Sequence, residues 1–172
     1  RRHTRYISVT GVQTCALPIS LSDVDDTQIA GATVTISTGL TTGDVLGFST
    51  VNGITGTYNS VSGVLTLTGT ATVAQYQAAL RTVTYYSTSE DPTATSTSRT
   101  ITWSVTDANS DGVGAQTSTG VTSTVNVTAV NDKPVATAGA TLAYTENAAA
   151  AVIDNSITLS DVDDTQIGRA HG

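Results

Sequence analysis

Between residues 20 and 167 the chain has no cysteine, no histidine and no methionine; its single cysteine is Cys15 and its two histidines are His3 and His171. That excludes thiolate and imidazole zinc sites, thiol nucleophiles, disulfide staples and histidine acid/base chemistry from the body of the protein. Cations are also scarce. Arg81, Arg99 and Lys133 stand there against all fourteen carboxylates, a net charge of −11 (3 minus 14), compared with −7 for the whole chain of 172 residues. Such a surface repels nucleic acid and anionic membrane. No apolar run reaches transmembrane length. Most enzyme mechanisms lose their usual actors, and a glycosidase working with two carboxylates is disfavoured because the acids lie in loops near repeat boundaries; the expectation is a protein that is not an enzyme. An acidic, Thr/Ser/Gly-rich chain without disulfides suits a secreted or surface-attached protein stabilised by something else, for which bound calcium is the natural candidate.

What the chain does have is repetition. Leu-Ser-Asp-Val-Asp-Asp-Thr-Gln-Ile occurs at residues 21–29 and again at 159–167, an offset of 138 positions (159 minus 21). A period of that length is one whole domain, so the chain holds slightly more than one unit of a tandem array.

The two ends differ in composition from the middle. Residues 9–19, Val-Thr-Gly-Val-Gln-Thr-Cys-Ala-Leu-Pro-Ile, resemble the conceptual translation of a sequencing-library adapter, and residues 167–171 resemble the same adapter read in the opposite sense. Segments 1–19 and 168–172 are therefore expected to be artefactual and are left out of the fold.

Within the middle, apolar residues alternate with Thr or Ser at period two in short segments bounded by Gly, Asn, Asp or Ser, the pattern of half-buried strands. The clearest are 33–37, 54–58, 64–68, 82–86, 99–106 and 121–130. Ile101, Trp103 and Val105 share one face, as do Val121, Val125, Val127 and Ala129, and these faces should form the core. Asn52-Gly53, Ser62-Gly63 and Asp111-Gly112 predict turns. Residues 72–80 break the pattern: Thr72 as N-cap, with Val73, Tyr76 and Leu80 on one face, predicts a short helix plugging one end of a sandwich. A boundary falls at residues 131–134, Asn-Asp-Lys-Pro, because Pro134 cannot continue a ladder. The resulting division is a repeat at 20–130 lacking its first strands, a linker at 131–134, and the start of the next repeat at 135–167.

Asp23, Asp25 and Asp26, and their copies Asp161, Asp163 and Asp164, form an Asp-x-Asp-Asp block. In extended backbone residues i and i+2 point the same way, so two carboxylates of each block can converge on one hard cation; the alternative is a solvated acidic turn. Asp107, Asn109 and Asp111 with Gly112 fit the first half of an EF-hand loop, but position twelve is Ser118 and no helices flank it, so a hairpin connection whose Asp107 serves a site elsewhere is preferred. Trp103, Tyr58, Tyr85 and Tyr86 could alternatively offer a stacking platform for glycans; Trp103 shares a face with Ile101 and Val105, which favours the core.

Trp103-Ser-Val-Thr-Asp107, the stretch 124–134 ending Val-Asn-Asp-Lys-Pro, and Tyr144-Thr-Glu-Asn147 together resemble the cadherin-like tandem repeats of large bacterial surface adhesins. The resemblance implies an all-β fold, a Greek-key β-sandwich of cadherin and immunoglobulin type with one short inserted helix, and calcium held between neighbouring repeats of the same chain. It assigns Asn131, Asp132, Asp161 and Asp163 to the junction inside this chain, Glu146 to the following one, and Asp23, Asp25 and Asp107 to the preceding one. The family's Asp-Arg-Glu motif has no counterpart, since residues 63–69 read Gly-Val-Leu-Thr-Leu-Thr-Gly, and the period exceeds that of the usual module. The implied function is a calcium-stiffened module in cell adhesion or biofilm contact, extracellular, with cell-surface glycans or proteins as partners; a carbohydrate-binding sandwich is the alternative.

Overall fold

The structure, a computed structural model, describes residues 6–8, 19–24, 26–110 and 112–163. They fall into two compact units, Arg1–Thr128 and Ala129–Gly172. The first contains strands β1 (Tyr6–Ser8), β2 (Ser20–Ser22), β3 (Gln28–Thr38), β4 (Asp44–Gly47), β5 (Thr55–Asn59) and β6 (Val64–Thr72), the helix α1 (Val73–Leu80), then β7 (Thr84–Ser87), β8 (Ser98–Asp107) and β9 (Val121–Asn126). The second contains β10 (Val135–Thr137) and β11 (Thr158–Ser160).

Unit 1 is an all-β sandwich with one short helix. Its main sheet is five-stranded and antiparallel, in the order β5-β6-β3-β8-β9; β4 pairs with β7, and β1 with β2. The chain leaves the main sheet for β4 and again for β7, so the two neighbours of the central strand β3 are β6 and β8, neither adjacent to it in sequence. The period-two pattern is realised on β3, where Ala32, Val34 and Ile36 are buried, and on β8, where Ile101, Trp103 and Val105 are. They meet Leu46, Leu65 and Leu67 in one core.

Two irregularities shape one end of the sandwich. The register of β3 shifts between Ile29 and Gly31 against both β6 and β8. This bulge turns Ile29 inward although it lies three residues before Ala32, and it re-aims the start of the strand. Near the same end, beside Gly69, Asn52 and Gly53 both take positive φ, 54° and 76°, closing a two-residue connection between the paired residues Val51 and Ile54; the Asn-Gly pair supplies the two left-handed positions such a turn demands.

The helix forms where the sequence expects it. Thr72 accepts from the Gln75 N–H at 3.2 Å while the Gln75 side chain accepts from the Thr72 N–H at 3.0 Å, a reciprocal capping box. Tyr76, Ala79 and Leu80 are buried and Val73 lies at the margin of the core. The last strand is shorter than its alternation suggests: β9 ends at Asn126, and Ala129 and Val130 are exposed. The reason is pairing, because Asn126 lies opposite Ser98, the first residue of β8, and beyond it the main sheet offers no further strand. Ile19, placed outside the fold by composition, is buried in the core, and its carbonyl accepts two hydrogen bonds from Arg81. No helix among the described residues is long and apolar enough to cross a membrane.

Unit 2 is a sparse element. Its ribbon pairs Val135 with Ser160, Ala136 with Leu159 and Thr137 with Thr158, and Asp154 organises the connection, one carboxylate oxygen accepting from the Gly139 and Ala140 N–H groups and the other from Ser156. These bonds, from the Ser156 side chain first, hold the Asp154 carboxyl well below the usual carboxylate range.

Candidate metal site

One face of β8 carries the chemistry of unit 1. Arg99, Ile101, Trp103, Val105 and Asp107 alternate inward along it, so a cation enters the core at one end and a carboxylate at the other. Burying either charge without compensation costs several kcal/mol.

At the first end the compensation is complete. Arg99, fully buried, donates from Nε to Asp44 Oδ2 at 2.5 Å and from Nη2 to Oδ1 at 3.4 Å. Its remaining donors reach the carbonyls of Pro92 at 2.6 Å and Ser96 at 2.7 Å. Asp44 also accepts from the Tyr85 hydroxyl at 2.7 Å and the Thr41 N–H at 2.8 Å, and its carbonyl accepts from the Tyr58 hydroxyl. Burial pulls the Asp44 carboxyl upward, but the bonds from Arg99, Tyr85 and Thr41 outweigh it and hold the group below its ordinary value. Burial, and then the Asp44 carboxylate, push the Tyr85 hydroxyl up to about 12.

The signs give a pH profile. The Asp44 contribution is present above its unfolded value of about 3.9 and is lost as pH falls through the folded one; that of Tyr85 is complete below its unfolded value of about 10 and fades as pH rises toward 12. Thermal melts in chelator should therefore show a plateau at neutral pH and a decline on both flanks, with Tyr85→Phe reducing the alkaline decline. An alkaline flank that is the same with and without the hydroxyl would contradict this assignment.

At the other end of β8, Asp107 is 1% exposed and meets Asp26, 4% exposed, and Asp23; one carboxylate oxygen from each lies within 4.8 Å of the others. The fold makes this meeting unavoidable. In an antiparallel pair the start of one strand faces the end of its partner, and here Ile29 of β3 lies opposite Asp107 of β8. The bulge after Ile29 and a bond from the Ala108 N–H to the Gln28 carbonyl at 3.0 Å then carry the residues before β3 back over the end of β8. Main-chain donors and one hydroxyl fix the carboxylates: Asp107 accepts from Asn109 and Gln116 N–H groups, Asp26 from the Ser110 N–H at 2.5 Å and from the Ser110 hydroxyl, and Asp23 from the Asp26 N–H.

The donor set is all oxygen, with neither sulfur nor imidazole, which fits a hard divalent cation. Two oxygens bound to one calcium at about 2.3–2.6 Å lie at most roughly 5 Å apart, so the 4.8 Å spread suits a single ion. Gathering three carboxylates costs electrostatic free energy that such an ion offsets.

The structure divides the acidic residues singled out in sequence. Asp23, Asp26 and Asp107 come together. Asp25, Asp111 and Asp164 lie outside the described residues. Asn109 follows Asp107 into the loop with a positive φ of 54°, but its side-chain oxygen accepts from the Gly114 N–H at 2.5 Å and so serves the turn. In unit 2, antiparallel β10 and β11 bring the residues before one strand beside those after the other: the Asp132 N–H donates to Asp163 Oδ2, the Asp163 N–H to Asp161 Oδ1 at 3.0 Å, and the Asn131 side chain to the Asp132 carbonyl. Glu146 is exposed in a turn. Of the aromatic platform, Trp103 lies in the core with Nε1 donating to Ser123, Tyr58 and Tyr85 are engaged with Asp44, and Tyr86 is 52% exposed. The Asp44–Arg99 pair is missed by sequence reasoning, although an arginine two residues before Ile101, on the same strand face, is the signal of a buried partner.

Comparison with known proteins adds one partial similarity. No family model matches the chain, and no solved structure does. An aligned stretch of 73 residues is 47% identical to Halomucin of Haloquadratum walsbyi (strain DSM 16790 / HBSQ001), covering 39% of this chain and 1% of that protein. The chain thus spans about a hundredth of the length of the curated relative it matches.

Proposed function

We propose that the chain is one period of a tandem array in a very large extracellular or cell-surface protein, a stalk or adhesive module whose carboxylate clusters bind calcium at the module ends and stiffen the array. The observation that carries this reading is the convergence of Asp23, Asp26 and Asp107 at one end of the β8 core face. Two of the three belong to the block that recurs 138 residues later, so the same group would recur in the next period, and the similarity to a stretch of a far longer protein supports a repeated unit. Where the acids of neighbouring modules share ions, a flexible joint becomes fixed. Without ions, the clustered charges repel and loosen it.

Calorimetry tests the site directly. At calcium a hundredfold above its dissociation constant the stabilisation is about 2.7 kcal/mol, a rise in melting temperature of about 5–10 °C over the chelated protein for a chain of this size. Asp107→Asn should remove most of that difference. An identical melting temperature in calcium and chelator, or a calcium response undiminished in Asp107→Asn, would rule the site out.

A further inference from the structure

The repeat is visible in backbone geometry as well as in sequence. Moving β2 by 138 positions carries Ser20, Leu21 and Ser22 onto Thr158, Leu159 and Ser160, which are β11. Both strands sit in a two-stranded antiparallel ribbon in the same register: Tyr6, Ile7 and Ser8 face Ser22, Leu21 and Ser20, as Val135, Ala136 and Thr137 face Ser160, Leu159 and Thr158. The match reaches one residue further back, to Ile19 and Ile157.

Burial separates the two copies. Ile19 and Leu21 are each 8% exposed, whereas Ile157 and Leu159 are 57% and 54% exposed. Val24 and its equivalent Val162 are both exposed, so the contrast is confined to the residues that face a core in one copy. In unit 1 the seat of this strand is built by α1 and the residue after it: Gln77 Oε1 accepts from the Leu21 N–H at 2.9 Å, and Arg81 donates from Nε and Nη2 to the Ile19 carbonyl at 3.1 and 2.8 Å. All three bonds go to main-chain atoms, which any strand of the same register presents, and the apolar contacts need an isoleucine and a leucine two residues apart. Residues 157–160 meet both requirements.

We propose that β11, with Ile157 and Leu159, is a docking strand whose receiver is the Gln77–Arg81 seat of a second copy of this sandwich. It fits that seat as well as β2 does, because the contacting residues are the same. In an intact single chain β2 wins by being tethered beside the seat at high effective concentration. Weakening β2 should hand the seat to β11 of another molecule. The proposal requires no cation and stands apart from the calcium reading.

Sedimentation of the full chain in chelator tests it. Wild type is expected to run as a monomer. Ile19→Ser with Leu21→Ser should form dimers and higher species as concentration rises, and adding Ile157→Ser and Leu159→Ser should return the protein to monomer. Leu21→Ala, a milder lesion, should move in the same direction if the double variant fails to fold. Variants of β2 that stay monomeric at the highest concentration, or association that persists without Ile157 and Leu159, would overturn the proposal. So would a monomer whose melting temperature depends on Ile157 and Leu159, because the strand would then have docked within its own chain.

Discussion

Arg99→Ala is expected to destabilise unit 1 by about 3–5 kcal/mol, lowering its melting temperature on the order of 10–20 °C. The substitution leaves Asp44, 1% exposed, without its guanidinium and strands the Pro92 and Ser96 carbonyls that Arg99 now satisfies. The charge left behind, more than the bond lost, sets the size of the effect. Replacing both partners, Arg99→Met with Asp44→Leu, should therefore be far milder than either single change, since no ion remains to be desolvated. Chemical denaturation of the three variants checks this; a double variant worse than the sum of its singles would mean that the pair holds the fold through geometry and not through charge compensation.

Tyr76→Ala should cost about the same, 3–5 kcal/mol, by a different route. Tyr76 is fully buried on the inner face of α1, and its hydroxyl donates to the Gly69 carbonyl at 2.6 Å. Removing the ring opens a cavity under the helix and frees that carbonyl as well. Tyr76→Phe isolates the second contribution and should cost only about 0.5–1.5 kcal/mol. Equal losses in the two variants would show that the hydroxyl, and not the ring, anchors α1.

These two positions differ in how far they are legible from sequence. The helix is legible because every signal for it is local: Thr72 and Gln75 form the cap within four residues, and the spacing of Val73, Tyr76 and Leu80 already defines a face. The long strands are legible for the same reason, through alternation. Strand β4 is not, because it has only four residues, Asp44–Gly47, directly after Gly43 and becomes a strand only by pairing with β7, some forty residues on. Asp44 and Arg99 are likewise 55 residues apart; the sequence shows a charge on a core face but not what neutralises it. The acidic site falls between these cases. The duplicated block draws attention to Asp23 and Asp26, and the resemblance places Asp107 with Asp23 and Asp25. Their physical meeting, however, depends on the register of β3 against β8 and on a bulge that no spacing rule reveals.

The central position of β3 has a consequence for how such a protein is made. Val34 pairs with Leu65 on one side and with Trp103 on the other, so the strand synthesised first in the main sheet gains its second neighbour only after some seventy further residues have been added. During translation it waits with one edge open. In the tandem array proposed above, a late β8 could be captured by the wrong waiting β3, a misassembly whose frequency would rise with sequence identity between adjacent units. Divergence between neighbouring periods along the main sheet, with the acidic blocks kept alike, would let each unit find itself on the ribosome without giving up the shared chemistry of its ends.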